Sequence, residues 1–161
     1  MEPAVDSQVI ELLGRNRLVD ELMRAGLEVA IPIRDRGVDL IAYADLDSKV
    51  SAFVACPIQM KASSLAAFGI DQKYQKFPGL ILAHVWYLHD GQQTRTYATT
   101  YAEALEIGNQ MGWTKTQSWA KGAYSTSRPG AKLQSLLEPY RMTPEKWWVK
   151  ITQAGAALGK I

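Results

Sequence analysis

Gln59-Met60-Lys61, near the end of an apolar run that starts at Val50, sets an amide and an ammonium two residues apart. In a β-strand alternate residues share a face, so Gln59 and Lys61 project together while Ile58, Met60 and Ala62 point into the opposite layer. A second apolar run, Val38 to Ala44, carries Asp39 two residues after Gly37. If the two runs pair, a carboxylate, an amide and an ammonium gather at one end of a sheet. Such a set suits metal-assisted hydrolysis of a phosphodiester. A hard ion, Mg²⁺ or Mn²⁺, held by one or two carboxylates neutralises the phosphate and acidifies a water. Asp39 would bind the ion, Gln59 offers an oxygen without charge, and the Met60 backbone carbonyl could add another. Lys61 would orient the water or stabilise the pentavalent phosphorus as a compact donor.

The elements that must hold these residues are readable from periodicity. Val9, Leu12, Leu13, Leu18, Val19, Leu22 and Met23 recur at helical spacing from Ser7 to Ala25, and Gly26 follows as a stop. Leu27 to Ile31, Val38 to Ala44 and Val50 to Ala62 read as strands, separated by the turn-prone stretches Arg34-Asp35-Arg36-Gly37 and Asp45-Leu46-Asp47-Ser48. Asp71 to Lys76 reads as a short helix or turn, with Tyr74 and Phe77 spaced to pack inward. Leu80 to Leu88 is an apolar strand, and Asp90-Gly91 signals a hairpin returning through Thr94 to Ala98. Thr100-Tyr101-Ala102-Glu103 has capping-box spacing and opens a helix running to Gly112. Thr143-Pro144-Glu145 opens a last helix.

At 161 residues, 47% hydrophobic and 21% charged, the chain suits a single domain over 1–161, with a core over 7–98 and a helical part over 99–161. A formal net charge of +2 neither selects nor excludes nucleic acid, so affinity must come from uneven placement of cations. Residues 113 to 150 are such a place: seven Lys and Arg stand against two Glu, interleaved with Trp113, Trp119, Tyr124, Tyr140, Trp147 and Trp148. Those rings are ordinary core material, and any left exposed could stack on unpaired bases. One cysteine, Cys56, sits in an apolar run without a disulfide partner, which fits a reducing cytoplasm. The first residues lack a leader's basic-then-apolar pattern, and no apolar run is long enough to cross a membrane.

The order of these residues resembles the PD-(D/E)XK nuclease superfamily, especially its Holliday-junction-resolvase-like members. Asp39 matches the Asp, and Gln59-Met60-Lys61 matches the second motif with Gln in the acidic place. Leu13-Gly14, Arg24 to Val29 and Ile31-Pro32 extend the likeness upstream, over residues 7 to 75. The resemblance implies an α/β fold of restriction-endonuclease-like type, a mixed central sheet flanked by helices, with a helical aromatic C-terminal extension. It implies DNA cleavage with Mg²⁺ or Mn²⁺, and often a homodimer, because cutting two strands takes two sites. The family's helical Glu would fall on Arg15, which cannot bind metal; Glu11, one turn earlier on the same face, is the candidate substitute.

Arg34 and Arg36 beside Asp39, Ser63 after Lys61, and Lys73 with Lys76 are candidates for contact with the nucleic-acid backbone. Each also has an ordinary role: Asp39 can cap a turn, Lys61 can be a solvated strand end, Ser63 a turn residue, and the basic loops solvated loops. Two further functions stay open. One is a nucleic-acid-binding module that has lost catalysis with its acids, and the other a protein-interaction domain in which Asp39 and Lys61 form a plain ion pair.

Overall fold

The computed structural model describes residues 6–44, 47 and 50–158; the polar turn at Asp45, Leu46 and Ser48 and the first residues of the chain lie outside them. Helix α1 spans Ser7–Arg24, capped by the Asp6 carboxylate on the Gln8 amide at 2.9 Å and ended by Gly26 at φ +85°, a conformation glycine adopts without strain. Strands β1 (Leu27–Ala30), β2 (Leu40–Ala44) and β3 (Ala55–Ala62) form an antiparallel meander. A crossover then carries strand β4 (Phe68–Asp71) and a 3₁₀ turn, Gln72–Lys76, into β5 (Ile81–Trp86), which pairs parallel to β3. The hairpin partner β6 (Arg95–Thr99) closes a mixed five-stranded sheet of order β1-β2-β3-β5-β6. The chain is therefore α/β, with a mixed sheet flanked by helices.

Helix α2 (Tyr101–Gln110) starts on a complete capping box between Thr100 and Glu103. The short helix α3 (Gln117–Ala120), strand β7 (Ala123–Thr126) and helices α4 (Ala131–Leu137) and α5 (Pro144–Leu158) complete the order. The all-helical expectation for 99–161 is corrected here: β7 pairs antiparallel with β4 as a separate two-stranded ribbon. A four-residue strand among polar residues carries no period long enough to read.

Both faces of the sheet are covered. On one, Leu18 and Leu22 of α1 and Trp147 and Ile151 of α5 pack on Leu40, Ala42, Ile58 and Met60. On the other, Phe68, Ile70, Tyr101, Ile107, Trp113, Leu133 and Leu137 pack on Leu82, Trp86 and Tyr97. That double cover explains why every residue of β5 is buried and why its sequence is a nearly unbroken apolar run. Burial of a large side chain such as Trp147 is worth roughly 2–3 kcal/mol. Pro57 is tolerated in the central strand because β5 pairs only from Ile58 onward, so its missing N–H breaks no bond on that side.

Candidate metal and nucleic-acid site

Alternation along β3 decides which residues can meet. Cys56, Ile58 and Met60 face the α1 side, whereas Gln59 and Lys61 line a cleft on the other side with Tyr74, Leu82 and His84. Asp39 stands one residue before β2, 8% exposed; its amide donates to the Ile58 carbonyl at 2.9 Å, and its Oδ2 accepts the Met60 amide at 2.7 Å. The carboxylate is thus fixed on the backbone between the two motif residues. Among the described residues Asp39 and Lys61 form no ion pair; the pairs present are Arg17–Glu21, Arg24–Asp20, Lys73–Asp71 and Lys150–Glu103.

Asp39 has carboxylate company instead. Ligand oxygens of Glu11, Asp35 and Asp39 lie within 4.8 Å of one another, with Glu11 and Asp35 exposed. Glu11 was expected from the helix; Asp35 was not. It sits in a charged loop with no period, and it is turned toward the strand end by a local bend in which its Oδ1 accepts the Gly37 amide at 3.3 Å while Gly37 takes φ +93°. An Asp two residues before a glycine was the available signal. The three carboxylates form an all-oxygen set of the kind that suits a hard divalent ion. The acidic cluster could hold a metal ion.

The helix reaches that point because Gly14 lets it. A Cβ there would come 2.7 Å from the Ala62 Cβ and 3.1 Å from the Met60 Sδ, so α1 lies directly against the end of β3. Arg15, on the same helix, has a buried Nε without a hydrogen-bond partner among the described residues.

The remaining candidates divide. Gln59 does not turn toward the acids: its amide oxygen accepts the Tyr74 hydroxyl at 2.8 Å. Met60 contributes its N–H to Asp39. Lys61 is exposed and lines the cleft. Burial, then the Lys61 charge, holds the His84 ring at about 4, so it is neutral near pH 7. Ser63 is a structural residue, its amide bonded to the Val85 carbonyl at 2.9 Å and its carbonyl to the Leu88 amide at 3.2 Å, with its side chain at the cleft. Arg36 and Lys76 meet in a second groove of about 340 Å³ that shares Tyr74 with the cleft. Arg34 is exposed. Lys73 is tied to its own turn, its ammonium 3.8 Å from Asp71 and 5.1 Å from the Tyr74 ring centre. Tyr74 packs inward as expected, but Phe77 is 49% exposed, because it follows the 3₁₀ turn rather than continuing a helix. Trp113 and Trp147 are core, and burial pushes the Cys56 thiol up to about 12.

Among the described residues no helix is long and apolar enough to cross a membrane. Compared with known proteins, the chain matches no family model, no curated protein and no solved structure.

Proposed function

We propose that this chain is a metal-dependent nuclease of restriction-endonuclease-like fold that cleaves DNA phosphodiesters at the open end of its mixed sheet. The observation that carries this is the convergence of Glu11, Asp35 and Asp39 on one point at the end of β3. These three would hold the ion; Mg²⁺ or Mn²⁺ supplies charge neutralisation at the phosphate and an acidified water. Asp39, anchored by the Met60 amide, keeps one oxygen free of that bond. Lys61, which faces the cleft one residue beyond the Met60 amide that anchors Asp39, would donate to a backbone phosphate on that side, and Arg36 and Lys76 would hold the backbone nearby. Glu11 and Asp35 lie outside the positions at which the resemblance implies acids, which here hold Arg15 and Gln59.

The test is cleavage of linear duplex, single-stranded and four-way-junction DNA with Mg²⁺ or Mn²⁺, comparing wild type with Asp39→Asn and Lys61→Ala. Metal-dependent cutting that both variants lose supports the nuclease. Salt-sensitive binding without cutting favours the second reading, an inactive binding module, for which the engagement of Gln59 by Tyr74 is the specific observation. Cutting both strands would take two copies, which sedimentation with DNA would detect.

A further inference from the structure

The cleft on the far face of β3 has chemistry of its own. One wall is Gln59, Lys61 and His84 of the main sheet; the other is the β4–β7 ribbon, with Phe68 and Tyr124. At about 410 Å³ it falls in the range of small-ligand sites. Ser125, Thr126 and Ser127 bring hydroxyls to one side, and Lys61 is the only Lys or Arg in the lining. Two polar groups in the walls are incompletely used. Tyr74 occupies the Gln59 amide oxygen, which leaves the Gln59 NH₂ as a donor, and His84, 3% exposed, has an Nδ1 without a hydrogen-bond partner.

Tyr74 and Tyr124, hydroxyl and amide donors and acceptors, and one ammonium match the parts of a nucleotide, a flat ring, a sugar and a phosphate, while the one carboxylate in the lining, Asp71, is paired with Lys73 at 3.8 Å. The position of the cleft fits too. The Met60 amide, in the plane of the sheet, binds Asp39, while Gln59 and Lys61, the residues on either side of Met60, line the cleft. A strand bound at the acids would run beside the cleft, whose lining starts one residue along β3 from the Asp39 anchor. We infer that the cleft receives one unpaired nucleotide of a DNA strand, its phosphate held by Lys61 and its base laid against the Tyr124 side of the cleft. The identity of the polymer rests on the nuclease reading; the pocket chemistry does not. A base inside a duplex is shielded by its stack, so the cleft selects single-stranded or locally opened DNA.

Isothermal titration in EDTA tests this without requiring any cutting. The probes are a deoxynucleoside 5′-monophosphate, the deoxynucleoside without phosphate, inorganic phosphate, and short single-stranded and fully paired DNA. Saturable binding of the monophosphate, weaker for each fragment alone, and preference for the single strand are expected. Lys61→Ala should weaken the monophosphate about tenfold and leave the nucleoside unchanged. Ser127→Trp, at an exposed position in the lining, should abolish both, and Asp39→Asn should alter neither. No saturable binding, inorganic phosphate binding as well as the nucleotide, or undiminished binding by Ser127→Trp would overturn the inference. Nucleotide binding without metal-dependent cutting would keep the cleft and remove the nuclease. Equal cutting of paired and single strands, untouched by Ser127→Trp, would keep the nuclease and remove the cleft.

Discussion

Gly14 of α1 and Ala62 of β3 touch, with room for a hydrogen but not for a methyl group: an added Cβ would stand 2.7 Å from the Ala62 Cβ. Gly14→Ala gains up to about 1 kcal/mol of helix propensity, but overpacking a tight contact costs typically about 1–3 kcal/mol. The expected net effect is a loss of about 1 kcal/mol in denaturant unfolding, accompanied by weaker Mn²⁺ binding as the turn carrying Glu11 is pushed away. A more stable variant with intact Mn²⁺ binding would show that α1 can shift freely.

Glu11→Gln, Asp35→Asn and Asp39→Asn each remove one charge from the acidic cluster and keep the side-chain shape. Each should lower Mn²⁺ affinity about tenfold or more, because charge count sets affinity for hard cations. Calorimetry reads this directly. Asp35 is the informative one, since unchanged affinity in Asp35→Asn would reduce the cluster to two acids.

Gln59→Glu introduces the acid that the resemblance would imply at this position, yet Gln59 faces the cleft and accepts from Tyr74 at 2.8 Å. The expected result is little change in Mn²⁺ affinity and retention of the Tyr74 bond. A strong gain in affinity, abolished again by Asp39→Asn, would mean that residue 59 reaches the metal.

His84 gives stability a pH dependence of defined sign. Its ring is lowered from 6.5 to about 4 by burial and by Lys61. Between those values the unfolded chain takes up a proton that the folded chain refuses, so stability is full above about 6.5 and falls as pH drops toward 4. The slope is at most about 1.4 kcal/mol per pH unit. Glu21, whose carboxyl is raised by burial against the opposing Thr96 hydroxyl and Arg17 charge, acts in the other direction at the acid end. The discriminating quantity is therefore the difference between wild type and His84→Leu in urea midpoints from pH 4.5 to 7.5; it should shrink as pH falls. A constant difference would mean that His84 takes up its proton in the fold as readily as in the unfolded chain.

Strand and helix positions were legible where a period was long enough. Val9 to Met23 gave α1, Thr100 to Glu103 gave the start of α2, and the run before Lys61 gave β3, though its first residues, Val50 to Val54, lie outside the strand. Asp39 and Glu11 could be picked out because a strand and a helix constrain where their side chains go. Asp35 could not, since a loop places its carboxylate through a bend at Gly37 rather than through a repeat. Nor could the cleft, because Phe68 and Tyr124 become neighbours only through pairing of β4 with β7. The orientation of Gln59 was half legible: alternation put it beside Lys61, but the Tyr74 hydroxyl that occupies it comes from the crossover.

That crossover separates the timing of the two halves of this sheet end. Glu11, Asp35 and Asp39 are close along the chain, on α1 and in the segment leading into β2, whereas the far wall of the cleft arrives with residues 123–126 and the α5 residues Trp147 and Ile151 that pack beside α1 arrive later still. Closing the longer loop costs little extra free energy but slows formation of contacts that span it. During synthesis the three acids are therefore made early, but the packing that fixes α1 on the sheet is completed only when α5 joins, after both strands of the ribbon have been made.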